Sequence, residues 1–96
     1  MEDTIAIRVK IYGRVQGVGY RAWTEREATA LGLLGWVRNC ADGSVEALFQ
    51  GSAQKVRELI ARCEEGPRFS EVERVEQSDD DSSQSLSEFL ILPTLK

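Results

Sequence analysis

Three glycines and two arginines lie close together in residues 13–21, which read GRVQGVGYR. Glycine lets the backbone adopt positive φ angles and approach a ligand closely. Successive amide N–H groups in such a turn can converge on one spot, and the positive end of a following helix adds to this anion-binding concavity. The segment therefore predicts a phosphate-binding loop, although taken alone it also fits a tight strand-to-helix connection with an exposed arginine.

The phosphate contacts predicted for this loop are backbone N–H groups and one guanidinium group. Arg21 lies where the following helix would begin, and a cation there is unfavourable by up to ~1 kcal/mol unless an anion binds. Its planar fork suits phosphate oxygens. The loop residues whose amides would bind the phosphate are Gln16, Gly17, Val18, Gly19 and Tyr20.

Asn39 is the second residue whose type and place suit chemistry. It lies at the end of a predicted strand, immediately before a turn that contains Asp42 and Gly43. A side-chain amide both donates and accepts hydrogen bonds, so it can orient a water molecule. The alternative is that this asparagine closes the turn by bonding its own backbone.

The composition excludes several kinds of catalytic site. The chain has 96 residues and no histidine, which excludes His-based acid–base catalysis and Ser-His or Cys-His nucleophile pairs. Its two cysteines, Cys40 and Cys63, are isolated in the sequence. Two lone cysteines cannot form a closed zinc site, and we expect them to be free thiols in a reducing cytosol. We therefore expect no metal and no cofactor.

The charge pattern favours a small anion as the partner. The net charge is −4, whereas a nucleic-acid-binding domain usually has a broad basic face. The cations near the glycine loop form only a small group: Lys10, Arg14, Arg21 and Arg38. No segment approaches the ~20 apolar residues of a membrane span, and residues 1–4 have no secretory pattern. We expect a cytoplasmic monomer that binds neither nucleic acid nor membrane.

The elements that would hold these residues follow from the hydrophobic periodicity. Residues 4–12 alternate between apolar and polar, which is typical of a strand with one wet face. Residues 21–31 predict a helix that ends at Gly32, with Trp23 either packed at its edge or flanking the loop. Its inward face would hold Tyr20, Thr24, Ala28 and Leu31.

The second half of the chain repeats this pattern. Residues 34–40 and 44–50 predict a hairpin across an Asp-Gly turn, with Val45, Ala47 and Phe49 pointing inward. Ser52 is a candidate N-cap for a helix that ends at Gly66-Pro67. The core-facing stripe of this helix would be Val56, Leu59, Ile60 and Cys63.

The remaining segments are a weaker strand, a polar loop and a short last strand. The strand covers residues 69–76, and the odd spacing of Val72 and Val75 indicates a bulge or an irregular edge. Residues 77–85 predict a solvated loop, and residues 88–92 predict the last strand. The order β-α-β-β-α-β with a short C-terminal strand predicts an α+β, ferredoxin-like split β-α-β sandwich, in which an antiparallel sheet carries both helices on one face. We expect one domain over residues 1–96.

Three segments together resemble the acylphosphatase family. They are GRVQGVGYR at 13–21, LGLLGWVRN at 31–39 and DGSVE at 42–46. The resemblance runs from about Val9 to Pro67 and continues more weakly to the C-terminus. It implies the ferredoxin-like fold and a hydrolase that converts acyl phosphates to carboxylate and phosphate without a metal. It also implies that Arg21 binds the phosphate and that Asn39 orients the attacking water.

The chain departs from the family pattern at two places near the loop and the turn. Tyr20 stands where the family usually has Phe, and Cys40 stands where Thr or Leu is more familiar. Two other functions remain open. One is a nucleotide-binding module, since residues 17–22 fit G-x-G-x-x-A and Asp42 follows. The other is a regulatory domain that binds phosphate or an acyl phosphate without turnover.

Overall fold

The computed structural model describes residues 3–80 and 86–96 of the chain. Its element order is the predicted one, with small changes at the ends of elements. The elements are β1 (Thr4–Arg14), α1 (Tyr20–Ala30), β2 (Leu34–Asn39), β3 (Val45–Ser52), α2 (Ala53–Cys63), β4 (Glu71–Asp79) and β5 (Phe89–Ile91).

The five strands form one sheet in the order β4-β1-β3-β2-β5. The pairs β4–β1, β1–β3 and β3–β2 are antiparallel, as predicted, but β5 pairs in parallel with β2. The sheet is therefore mixed rather than wholly antiparallel. The chain passes from β4 at one edge to β5 at the other, and this last reversal leaves β5 running in the direction of β2.

Both helices pack on one face of the sheet and share one apolar core. Alternate residues of β1 point into this core, and Val9 and Ile11 are fully buried. Complete burial of such a side chain stabilises the fold by ~1.5–3 kcal/mol. The predicted inward residues of both helices are buried, except that Leu31 is only partly buried. The other face of the sheet carries charged side chains around the buried residues Trp36 and Leu48, and it includes an ion pair between Arg38 and Glu46 at 2.7 Å.

The helix ends follow the predicted signals. Gly32, just after α1, has φ 72°, the left-handed conformation that glycine accepts readily. The Ser52 hydroxyl accepts a hydrogen bond from the Lys55 N–H at 3.4 Å and caps α2. Neither helix in the described part of the chain has the length and apolar character that a bilayer crossing requires.

The edge strand β4 differs most from the prediction. The register shifts between Tyr12 and Gly13, which confirms an irregularity in this strand. β4 runs to Asp79, so the prediction that the loop begins at residue 77 is wrong. Polar residues continue the strand because its backbone pairs with β1 while its side chains lie at an exposed edge. Residues 81–85 of the predicted loop lie outside the described residues.

Candidate active site

The loop between β1 and α1 has the backbone form that an anion site needs. Gly17 has φ 73° and Gly19 has φ 79°. A Cβ atom at either position would meet nothing within 4 Å, so the positive φ angle alone accounts for glycine there. Val15 is buried, and Val18 packs against the core, so both side chains anchor the loop. Val18 would therefore act on a ligand only through its backbone.

The first turn of α1 adds further N–H groups. Gly19 is the N-cap residue and has no side chain to cap the helix. The Trp23 N–H donates to the Gly19 carbonyl at 3.0 Å, so the N–H groups of residues 20–22 have no partner within the helix. The first turn also has no acidic residue. The turn thus presents N–H donors without partners in the helix, together with the positive end of the helix dipole.

Arg21 differs from the other cations predicted around the loop. Lys10, Arg14 and Arg38 each form an ion pair with a carboxylate. Arg21 has no carboxylate at ion-pairing distance among residues 3–80 and 86–96. Its side chain is half-buried at the start of α1, so its charge is available to a bound anion.

Asn39 is the last residue of β2 and is half-buried. Its side-chain oxygen Oδ1 is buried and has no hydrogen-bond partner in the described part of the protein. A buried acceptor without a partner is uncommon, and such an atom is often satisfied by a water or a ligand. The alternative role, closing the turn, belongs to Asp42, whose Oδ1 accepts from the Ser44 N–H at 3.0 Å.

A tight hairpin turn follows Asn39 directly. Gly43 has φ 91°, and its N–H donates to the Cys40 carbonyl at 3.1 Å. The Cys40 N–H donates to the Ser44 carbonyl at 2.9 Å, which closes a three-residue hairpin loop. The Asp-Gly signal correctly predicts the hairpin. Asp42 is engaged within this turn, which leaves it unsuited to bind the ribose of a dinucleotide.

One cleft brings the two predicted catalytic residues together. Its volume is about 240 Å³. Arg21 and Asn39 both line it, together with the first turn of α1, so the positive end of this helix and the asparagine border one space. The other residues that line the cleft are Val15, Gly17, Gly19, Tyr20, Ala22 and Ile91. Gln16 and Val18, which the sequence also predicted, do not line it.

A larger cleft of about 550 Å³ lies at the far end of β1. It is lined by Arg57, Asp79 and Asp80, among others. Two carboxylates make this space unfavourable for a phosphate. The smaller cleft at the loop is the better candidate because its charge is positive and its polar groups converge.

The side chain of Gln16 has a role that the sequence did not reveal. Its Nε2 donates to the Cys40 carbonyl at 2.8 Å and to the Ser44 carbonyl at 2.9 Å. These acceptors are 24 and 28 residues away in the sequence, so no local pattern could have indicated the contacts. The predicted phosphate loop is thereby attached to the hairpin that follows Asn39.

The departure from Phe at Tyr20 has a structural explanation. Tyr20 is 1% exposed, and its hydroxyl donates to the Cys63 carbonyl at 2.7 Å. That carbonyl belongs to the last turn of α2, where carbonyl groups lack partners within the helix. Burial raises the pKa of the Tyr20 hydroxyl, which stays protonated. Trp23 packs edge-to-face on Tyr20, with 5.3 Å between ring centroids, and does not line the cleft.

Both cysteines are buried free thiols. Burial raises the pKa of the Cys63 thiol to about 12, so it remains protonated within the core. Within residues 3–80 and 86–96, no group of three or more acidic or cysteine side chains is arranged to hold a metal ion.

A model of the acylphosphatase family matches residues 7–91 of the chain. The chain belongs to the acylphosphatase family. A protein named acylphosphatase from Nitrobacter hamburgensis is 55% identical over 74 residues, which cover 77% of this chain and 75% of that protein. This similarity confirms the family and the acylphosphatase class of enzyme that the sequence predicts.

Two solved acylphosphatase structures are similar to the whole fold. The structure from Coxiella burnetii is 30% identical with a TM-score of 0.88, and the match covers 94% of each chain. The structure from Bacillus subtilis is 33% identical with a TM-score of 0.88, and the match covers 92% of this chain and 98% of that one. The ferredoxin-like α+β fold is thus confirmed.

Proposed function

We propose that the chain hydrolyses the carboxyl–phosphate bond of acyl phosphates to give a carboxylate and inorganic phosphate. One observation carries the proposal: Arg21, which has no ion pair within the described part of the chain, and Asn39 line the same cleft as the glycine loop. The family supports this reaction class, and the cleft supports the assignment of roles.

The phosphate would bind to the loop and to the start of α1. The amides of residues 16–20 donate to its oxygens, and Arg21 contributes a fixed charge and two parallel donors. Positioning and charge stabilisation are the main contributions to phosphoryl transfer, because charge spreads over the oxygens of the transferred group. Gln16 and Val18 would contribute backbone N–H groups only.

Asn39 would orient the attacking water. Its Oδ1 accepts a hydrogen bond from the water and directs an oxygen lone pair toward phosphorus. A new bond forms between the water oxygen and phosphorus as the bond between phosphorus and the acyl oxygen breaks, and that electron pair leaves with the carboxylate. The water proton passes to solvent or to the phosphate product.

This reaction requires neither a general acid nor a metal. The leaving group is a carboxylate, whose conjugate acid has a pKa of roughly 4, so it departs without protonation. Enzymes at the lower end of the range reduce the barrier by ~8 kcal/mol. Holding a water in line with a phosphate can lower the activation barrier by ~7–11 kcal/mol, and the guanidinium group adds electrostatic stabilisation of the transition state.

Hydrolysis of benzoyl phosphate in the presence of a chelator tests the proposal. We expect Arg21→Gln and Asn39→Ala each to lower kcat/KM by about 10²-fold or more, as removal of one transition-state donor does elsewhere. Arg26→Gln is the matched control, because Arg26 is exposed on the same helix and does not line the cleft. Full turnover by either site variant would refute the assigned roles.

Three further measurements separate the alternative functions. A phosphomonoester serves as the second substrate, and we expect no turnover because its alkoxide is a poor leaving group without an acid. Phosphate binding without hydrolysis of any acyl phosphate would indicate a regulatory domain instead. A fluorescence change with NADH would indicate a nucleotide-binding module.

We propose in addition that the chain acts as one domain and as a monomer in the cytoplasm. Its two buried free thiols are compatible with a reducing compartment. Light scattering after size exclusion would give the mass of a single chain, about 10.7 kDa, and twice that mass would refute the monomer.

A further inference from the structure

Gln16 connects two segments that have to be aligned for the proposed reaction. Its Nε2 donates both hydrogens, one to the carbonyl of Cys40 and one to the carbonyl of Ser44. Those two residues flank the hairpin loop, and the Ser44 carbonyl also accepts from the Cys40 N–H at 2.9 Å. The side chain of Gln16 thus spans the distance between the phosphate loop and the hairpin that follows Asn39.

Gln16 provides the direct hydrogen bonds between the loop and the hairpin. β1 and β2 are not neighbours in the sheet, because β3 lies between them. In the described part of the chain, no hydrogen bond other than the two from Gln16 joins residues 15–19 to residues 39–45. Val15 and Val18 anchor the loop on the core, and the side chain of Gln16 adds the direct hydrogen bonds between the loop and the hairpin after β2.

We infer that Gln16 is a positioning residue, which sets the distance between the phosphate on the loop and the water on Asn39. The inference rests on the proposed function and differs from the predicted role of Gln16, in which its backbone amide binds phosphate. The side chain touches neither substrate nor water. It acts by holding the Cys40 end of the hairpin, one residue after Asn39, against the loop.

The expected kinetic effect follows from this geometry. Arg21 and the loop amides bind the phosphate, whereas Asn39 acts on the water that attacks it. A displacement of about 1 Å between the two reactants can lower the rate by about 10²-fold. Loss of the Gln16 hydrogen bonds should therefore lower kcat by about 10- to 100-fold and change the inhibition constant of inorganic phosphate by less than about threefold.

Two substitutions of Gln16 by side chains of similar size remove these hydrogen bonds in different ways. Gln16→Met keeps the length of the side chain and removes both donors. Gln16→Glu places a carboxylate against two carbonyl oxygens, which repel it and raise the pKa of the introduced carboxyl above its ordinary value of roughly 4.3. Protonation at low pH restores one donor, so the kcat deficit of this variant should narrow as the pH falls. Gln54→Met, at an exposed position of α2, is the matched control.

A double-mutant cycle with Asn39→Ala is the decisive kinetic test. If Gln16 acts through Asn39, Gln16→Met should change the residual kcat by less than about twofold when Asn39→Ala is already present. An equal loss of kcat in both backgrounds would overturn the inference, because it would indicate a role independent of Asn39. An unchanged kcat in the single variant would overturn it as well.

A measurement without turnover keeps this inference separate from the proposed function. Asn39 is the only asparagine in the chain, so labelling with ¹⁵N-asparagine gives the NMR signals of a single side-chain amide. We expect Gln16→Met to shift or broaden these signals while the remaining spectrum stays native, and Gln54→Met to leave them unchanged. If the wild type hydrolyses no acyl phosphate, the proposed function is wrong. Separately, unchanged NMR signals of Asn39 in Gln16→Met would refute the positioning role of Gln16.

Discussion

Removal of the Tyr20 hydroxyl tests how much its hydrogen bond between α1 and α2 stabilises the fold. Tyr20 begins α1, is 1% exposed, and donates to the Cys63 carbonyl at 2.7 Å. The ring of Phe fills the same space, so Tyr20→Phe leaves no cavity. It leaves a buried carbonyl without its donor, which costs about 1–3 kcal/mol. We expect a loss of about 2 kcal/mol in the free energy of unfolding.

Thermal and urea unfolding measure this loss. For a domain of this size, each kcal/mol lowers Tm by about 4–8 °C, so we expect a decrease of about 8–16 °C. Tyr12→Phe is the matched control, because the Tyr12 hydroxyl donates to Glu76 at 3.2 Å at an exposed position. A surface change of this kind alters stability by about 0.5 kcal/mol or less. Equal midpoints for the two variants would refute the role assigned to the buried hydroxyl.

Two other predictions concern the turns around the site. Hydrogen bonds from the Ser44 hydroxyl and N–H, the largest causes, lower the pKa of Asp42 from 3.8 to about 2. Because folding lowers this pKa, the ionised Asp42 carboxylate stabilises the native state above pH ~4, and the stabilisation is lost as the pH falls to ~2. In urea unfolding, the free energy of unfolding of the wild type should therefore exceed that of Asp42→Asn by less as the pH falls across this window. Gly66→Ala should destabilise the fold more than Gly32→Ala does. Both positions have positive φ, but only a Cβ atom at position 66 would lie 2.7 Å from the Tyr20 ring. The control Gly32→Ala should cost about 1–2 kcal/mol, and equal losses in thermal unfolding would contradict the predicted clash.

Local signals predicted most of the fold. The alternation of β1 and the stripe from Val56 to Cys63 each show a single buried face, which fixes the type of element. Gly32 and Ser52 mark helix ends because their backbone or side chain satisfies terminal groups. These features depend on residues within one or two turns of each other, so a sequence pattern suffices.

Long-range pairing accounts for the errors. Residues 77–79 are polar, and only their pairing with the edge of β1 makes them a strand. The parallel direction of β5 depends on which edge of the sheet the chain reaches after β4, and no residue of β5 encodes it. In both cases the deciding partner is distant in the sequence.

In the candidate site, too, local sequence signals predicted some features, and distant contacts determine the others. The glycine loop is recognisable from its composition, and the resemblance to acylphosphatases singled out Arg21 and Asn39. Their shared cleft depends on the positions of β1 and β2 on either side of β3. The Gln16 contacts required the structure, because a glutamine in a loop has no pattern that names its acceptor.

Hydrolysis of benzoyl phosphate in H₂¹⁸O is the most direct test of the central claim, which is that Asn39 aims a water at a phosphate held by the loop and Arg21. Mass spectrometry of both products shows which atom the water attacked. We predict one ¹⁸O atom in the phosphate and none in the benzoate. Label in the benzoate would mean attack at the carbonyl carbon and would contradict the mechanism.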